Sequence, residues 1–241
     1  MRIFLSTLAL LANLLCASLL QQPAQQSEPP QSAPDYTIEA IRYANVRAFP
    51  LSSLVMGAAP EKRVDIAMVF WLIRGGGRNI LFDCGFHRPS WIARFRVTDF
   101  LSPAEAVREA GLEPSLITDI IVSHAHWDHM GGLDLFPNAT IWIQKAEYEY
   151  YTGEAWQPGG RKGGIDTDDV TELLARNLRG QVRLIPGDDV EILPGIRLFH
   201  RRAPHVRLAV RARGRRRALR ASLGQLLPLR ESSLAPRQRH V

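Results

Sequence analysis

The sequence predicts an α/β fold, and three observations carry that expectation. Apolar runs of strand length, at residues 64–73, 117–122 and 139–143, are separated by polar stretches. A helix signature sits between the first two, at residues 102–110. The run at 117–122 ends in a loop dense in ligand-type side chains, Ser123-His124-Ala125-His126-Trp127-Asp128-His129-Met130-Gly131-Gly132. With 241 residues, 46% of them hydrophobic, the chain can bury a sizeable core and has the length of one domain or two.

Arg2 precedes an apolar run over residues 3–20, after which polarity rises abruptly, so residues 1–22 read as a signal peptide or an uncleaved anchor. Export to the periplasm or beyond follows as the expected localisation. Residues 23–34, rich in Gln, Pro and Ser, read as a disordered linker, and the folded domain is expected over 35–200. Cys16 falls in the targeting segment, which leaves Cys84 alone and no internal disulfide. Beside a strand end, Cys84 reads as a small packing residue rather than a nucleophile.

Within the domain, residues 36–43 partly alternate as a strand, and 64–73 form a central one. Gly75-Gly76-Gly77 turns the chain into a further strand at 79–83. No Gly-Lys-Ser/Thr follows these glycines, so a hairpin turn is expected there and not a phosphate-binding loop. Ser102 is placed as an N-cap, Pro103 opens the helix, and Gly111 ends it. A helix at 170–177 and strands at 182–185, 190–192 and 196–199 follow, with turns at Gly187-Asp188-Asp189 and Pro194-Gly195.

The loop after residue 122 has a physical logic. Residues two apart on an extended chain point the same way, so His124 and His126 can present imidazoles to one metal ion. Asp128 and His129 follow as the chain turns and can face a second ion, while Gly131 and Gly132 permit a tight backbone where the next helix would begin. Imidazole nitrogen with carboxylate oxygen suits zinc, with manganese, iron or cobalt as alternatives. The candidate ligands are His124, His126, Asp128 and His129, and Asp128 is also the catalytic candidate.

H-x-H-x-D-H followed by Gly-Gly resembles the signature of the metallo-β-lactamase-fold hydrolases. Asp83, in Ile80-Leu81-Phe82-Asp83-Cys84-Gly85, stands where that superfamily keeps a strand-end aspartate supporting the metal site. Residues 141–148 and 186–195 are similar to the N-acyl-homoserine lactonase branch, and the likeness spans about residues 36–200. The resemblance implies a metallo-β-lactamase-like αββα sandwich whose second half is incomplete in this chain. It also implies two zinc ions and opening of the lactone ring of N-acyl-homoserine lactones, a quorum-quenching reaction, by a metal-bound hydroxide. Within the same fold the substrate could instead be another ester, a thioester, a β-lactam or an organophosphate. Segments inserted after the metal loop commonly shape the pocket in this superfamily. Tyr148, Tyr150, Tyr151 and Trp156, among the glycines of residues 146–164, therefore either wall a substrate pocket or pack the edge of the core.

The last stretch departs from this pattern. Residues 1–200 carry a formal charge of −5 and residues 201–241 carry +11, from twelve arginines and one glutamate with no lysine. One reading is a non-catalytic binding protein with a basic arm for nucleic acid or anionic membrane. Export argues against nucleic acid and leaves membrane contact to the N-terminal segment, if uncleaved. The other reading is a change of reading frame near His200. When the last two bases of each codon are joined to the first of the next, with synonymous choice open, residues 201–211 permit Gly-Gly-Arg-His-Thr, one flexible position, then Ala-Ser-Gln-Tyr-Val. Residues 220–232 likewise permit Val-Leu-Ala-Ser-Asp-Asn, one flexible position, then Tyr-Leu-Tyr-Glu-Asn-Leu. These strings resemble what the lactonase branch has here: a Gly-rich turn with the third histidine of the first metal site, then a strand ending in a bridging aspartate with a tyrosine after it. In the printed frame the nearest substitute is His205, set between Pro204 and arginines, and activity of the chain is expected to be impaired.

Overall fold

The structure is a computed structural model that describes residues 34–201 and 207–212. The expected targeting segment, the linker as far as residue 33, His205 and most of the basic tail lie outside the described residues. Strands β1 (Thr37–Pro50), β2 (Arg63–Gly75), β3 (Arg78–Phe82), β4 (Val97–Thr98), β5 (Asp119–Val122), β6 (Thr140–Gln144) and β7 (Val182–Ile185) form one sheet in the order β4-β1-β2-β3-β5-β6-β7. Strands β8 (Val190–Leu193), β9 (Ile196–Arg201) and β10 (Arg207–Ala212) form a second, in the order β10-β9-β8. The helices are α1 (Pro89–Phe95), α2 (Pro103–Glu109), α3 (Trp127–Met130), α4 (Lys145–Thr152) and α5 (Thr167–Leu178).

β1, β2 and β3 are antiparallel, and the β2–β3 connection is the expected hairpin. Gly76 and Gly77 sit at φ 56° and 72°, in the left-handed region that favours glycine. From β3 onward the strands are parallel, with β3 beside β5, β5 beside β6 and β6 beside β7. Parallel strands need crossovers, and the helices supply them on one face of the sheet. Alternation along the strands divides the core accordingly. Phe70, Leu72, Leu81, Ile120 and Ile141 pack against helix residues such as Val107, Met130 and Leu173. Ile73, Ile80, Phe82, Ile121 and Ile185 face the other way, onto Leu193, Ile196 and Leu198 of the second sheet. The architecture is thus helices, sheet and sheet. Among the described residues the second sheet holds three strands.

Helix α2 begins as the sequence indicates. The Ser102 hydroxyl accepts from the Glu105 backbone N–H at 3.3 Å, the Glu105 carboxylate accepts from the Ser102 N–H at 3.1 Å, and Pro103 follows the cap. The glycines after the histidine loop behave otherwise than expected. The helix there, α3, is a single turn that precedes them, and Gly131 (φ −71°) and Gly132 (φ −112°) have backbone angles open to any residue. What they provide is clearance. A Cβ on Gly132 would lie 2.4 Å from the Cys84 carbonyl oxygen, and one on Gly131 would lie 3.1 Å from Phe86 Cβ, where the chain makes a Phe86–Gly131 bridge.

Arg88 ties the start of α1 to the start of α5. Its Nε donates to Asp169 Oδ1 at 2.8 Å and its Nη1 to Asp168 Oδ2 at 3.2 Å, while Trp91 Nε1 donates to Asp166 Oδ2 at 3.1 Å. Asp169 is 2% exposed, and among the described residues its Oδ2 has no hydrogen-bond partner. Burial outweighs the pull of Arg88 and pushes the Asp169 carboxyl up from 3.8 to about 6. A carboxyl that binds its proton more tightly in the folded than in the unfolded state makes stability fall as pH rises across that interval. Urea melts between pH 4 and 7 should show this decline in the wild type and a flatter profile in Asp169→Asn.

Candidate metal centre

Three neighbouring parallel strands end on one edge, and each delivers a carboxylate or a ligand-type side chain there. β3 is followed by Asp83, β5 by Ser123 and His124, and β6 by the helix that carries Glu147. The carboxyl ends of parallel strands are where α/β sheets gather their functional groups.

Asp83 is 6% exposed and sits at φ 60°, a conformation that Asp tolerates better than most residues. Its Oδ1 accepts from the Ser123 N–H at 2.8 Å. Its Oδ2 accepts from Ser123 Oγ at 2.8 Å and lies 2.7 Å from His129 Nδ1. Asp83 therefore stands directly behind a candidate ligand, where the sequence placed a supporting residue. On the inner side, His129 Nε2 lies 3.3 Å from Asp128 Oδ2. The three imidazoles are grouped, with ring centroids 4.4 Å apart for His124 and His126 and 4.0 Å apart for His124 and His129.

Outer contacts engage one nitrogen of each ring. Ser123 Oγ lies 3.2 Å from His124 Nδ1, the Tyr151 hydroxyl lies 3.5 Å from His126 Nε2, and Asp83 holds His129 Nδ1. Backbone contacts fix the loop from beneath. The Cys84 N–H donates to the His129 carbonyl at 2.8 Å, Tyr43 Oη donates to the Asp128 carbonyl at 3.4 Å, and the Ala125 N–H donates to Glu147 Oε2 at 3.0 Å.

The electrostatics of the cluster follow from this packing. Burial works to lower the His129 pKa, but the carboxylates of Asp128 and Asp83 overcome it and hold the ring protonated, at about 10. Burial likewise works to raise Asp128, and the charge and hydrogen bond of His129 keep it below the usual carboxylate value. A proton on His129 thus supplies a positive charge between two carboxylates. A divalent cation would satisfy the same arrangement, because nitrogen and carboxylate oxygen donors supported from behind are the chemistry of a zinc site. The Asp128 and His129 side chains keep 27% and 18% exposure, so solvent and solutes reach them. The donors fit zinc in kind and in outer support. They fall short in number: among the described residues, no three His, Cys, Asp or Glu side chains converge closely enough to enclose an ion.

Cys84 is wholly buried and burial pushes its thiol well up, which suits packing and not nucleophilic attack. Tyr151 is part of the main core, and Tyr148, Tyr150 and Trp156 pack against it, so the aromatic segment takes the packing role. Sequence reasoning missed Ser123 and Glu147, although an acidic residue in the first turn after an apolar strand was a readable signal for the latter. It also missed α1, whose Trp91 and Phe95 stack on Trp127 with centroids 4.6 Å and 4.9 Å away. Their spacing of four residues was the available sign.

Comparison with known proteins bears on the family and the fold. The family model described as the Metallo-beta-lactamase superfamily matches residues 69–207. The N-acyl homoserine lactonase AttM of Rhizobium johnstonii is 41% identical over 56 residues, which is 23% of this chain and 21% of that protein. An N-acyl homoserine lactonase of a Bacillus species is 33% identical over 94 residues, 39% of this chain and 32% of that protein. The matched stretches therefore span a fifth to a third of the length of these curated relatives. Among solved structures, a quorum-quenching N-acyl homoserine lactone lactonase superposes with a TM-score of 0.58 at 22% identity, covering 74% of this chain and 68% of that one. An N-acyl homoserine lactone hydrolase, solved with N-hexanoyl-L-homoserine at its catalytic metal center, gives 0.55 at 21% identity, with 76% and 72% covered. AidC, a dizinc quorum-quenching lactonase, gives 0.51 at 17% identity, with 74% and 71% covered. The family match spans more than half of the sequence and the fold agrees with it: the chain belongs to the metallo-beta-lactamase superfamily and is related, at low identity, to the N-acyl homoserine lactonases.

Proposed function

We propose that this is the chain of an exported, zinc-dependent lactonase acting on N-acyl-homoserine lactones, and that a change of reading frame near codon 200 has left it with half of its metal site. The observation that carries the hydrolase reading is the Asp83–His129–Asp128 array, in which one ring nitrogen is held from behind at 2.7 Å while the other faces a carboxylate at 3.3 Å. That is how a metal-ligating histidine is normally oriented. The lactone substrate is supported by the named activity of the relatives, and the frame change by the abrupt shift from −5 to +11 in formal charge at residue 200.

In this reading His124, His126, Asp128 and His129 hold the metal. Zinc, when bound, supplies Lewis acidity toward a carbonyl and acidifies a water for attack at neutral pH. The protein's own residues do the rest. Asp83 Oδ2 fixes the proton of His129 on Nδ1 and so turns Nε2 inward, and Ser123 Oγ does the same for Nδ1 of His124. Asp128, the more exposed of the acidic pair, is the catalytic carboxylate in this reading. A small uncharged ester ring is the substrate this reading takes from the named activity of the relatives.

An independent read of the gene across codons 190–241 tests the frame change. One base lost or gained near codon 200 is expected, with the downstream frame spelling the His-Thr and Ser-Asp-Asn strings. Confirmation of the printed frame, with neither string in any frame, would overturn it. The repaired product should open N-hexanoyl-homoserine lactone in a zinc-dependent way. Robust hydrolysis by the purified 241-residue chain would contradict the half-site reading. Asp83→Ala should weaken zinc binding by about 10- to 100-fold, measured by competition with a chromogenic chelator.

A further inference from the structure

Between helices α4 and α5 the chain runs Gly159-Gly160-Arg161-Lys162-Gly163-Gly164, two cations flanked by two glycine pairs. Both ends of residues 161–164 are fixed. On one side Gly160 packs so closely on the Glu154 and Ala155 carbonyls that no Cβ would fit. On the other, Ile165 is buried in the main core. Between these anchors Arg161, Lys162 and Gly163 are exposed and Gly164 is half-buried.

The four residues cross the ring of His126, which is itself half-buried. A Cβ on Gly164 would lie 3.2 Å from His126 Cδ2 and Nε2, and its φ of 77° falls in the left-handed region. Glycine is therefore what lets the backbone rest against the imidazole. The Gly164 carbonyl accepts from the Trp127 N–H at 2.8 Å, which ties the segment to the histidine loop.

Few contacts hold it there. The Tyr150 hydroxyl accepts from the Arg161 N–H at 2.9 Å and donates to the Arg161 carbonyl at 3.3 Å, so one side chain engages both backbone groups of one residue. Lys162 Nζ stands 5.4 Å from the centre of the Trp156 ring. Tyr150 itself is seated firmly, its ring edge-on to that of the buried Tyr151 at 5.0 Å. Residues 161–164 have no apolar side chain to bury, and water can replace each polar contact they give up. Segments held in this way belong to the low-stability end of a fold. Gly163 has open space at its Cβ position and can turn freely.

We propose that residues 161–164 are a strap that lifts from His126 as one unit, with the Tyr150 hydroxyl as its latch and Gly163 as its pivot. Lifting uncovers the His126 ring and the Trp127 N–H together, so the strap governs how solutes reach that side of the histidine loop. Such motion requires no bound ion and is independent of the hydrolase reading.

Amide hydrogen exchange and diethyl pyrocarbonate labelling of the full 241-residue chain test it. The Arg161 and Trp127 amides should exchange together and faster than that of Ile141, which donates to the Gln181 carbonyl within the core. Tyr150→Phe should speed both by about 10-fold and raise labelling of His126 equally, with His87 as the surface reference. Gly163→Ala, which meets no neighbour, should slow both by about 2- to 5-fold through lost freedom of the lifted segment. Protection of Arg161 and Trp127 equal to that of Ile141 would overturn the strap. So would a Tyr150→Phe effect confined to Arg161, because the segment would then not move as a unit. Should Tyr150→Phe also speed Ile141, Gly163→Ala decides: slowing at Arg161 and Trp127 alone supports the strap, and no change there defeats it.

Discussion

The carboxylate of Asp83 is the constraint on which the rest of the centre depends. It accepts from a backbone N–H and a hydroxyl of Ser123 and holds the ring of His129, so one buried group joins the end of β3, the end of β5 and the turn beyond. A carboxylate in that position without partners would cost several kcal/mol, so the loop is drawn to it wherever the fold permits. The left-handed backbone of Asp83 costs a further 1–3 kcal/mol or so, which its hydrogen bonds offset. Once Asp83 is placed, residues 84–86 run beside residues 129–131, through the Cys84 N–H to the His129 carbonyl and the bridge at Gly131.

Placement of Asp83 in turn depends on strand order. β3, β5 and β6 must be adjacent and parallel for their carboxyl ends to meet, and that adjacency follows from burial on both faces. All four residues of β5 are buried, as a central parallel strand requires. Asp119 at its start is the polar exception, and it is satisfied by Arg78, Thr118 and Trp142. The hydrophobic layers therefore fix the strands, the strands fix three chain ends, and the ends fix the donors.

Much of this was legible in the sequence because it is local. The hairpin at Gly76-Gly77, the cap at Ser102 and the apolar runs of β2, β5 and β6 declare themselves within a few residues. The His-x-His-x-Asp-His loop likewise declared which side chains gather at the strand ends, and the family resemblance pointed to Asp83 beside them. The rest is held by distant contacts. Helix α1 has no side-chain cap and owes its position to Trp127, and α4 likewise starts at Gln144 without a cap. Gly131 and Gly132 advertise backbone freedom in a sequence, yet what they supply is clearance for Phe86 and Cys84, which no window of residues reveals. Whether the tyrosines after β6 would line a wall or pack a core was equally open until the helix that carries them was seen to press Tyr151 into the core beside His126.

The order in which these parts leave the ribosome matters. Asp83, the histidine loop and helix α4 are all complete by residue 152, and the last strand of the first sheet by residue 185. Domains take shape from the N-terminal side during synthesis, so the centre's scaffold can assemble before any codon past 200 is decoded. Alterations downstream would act late, after Leu193, Ile196 and Leu198, which cover Ile73, Ile80 and Phe82, have been made. Cellular quality control would then meet a chain whose first sheet is largely formed, not an unfolded one.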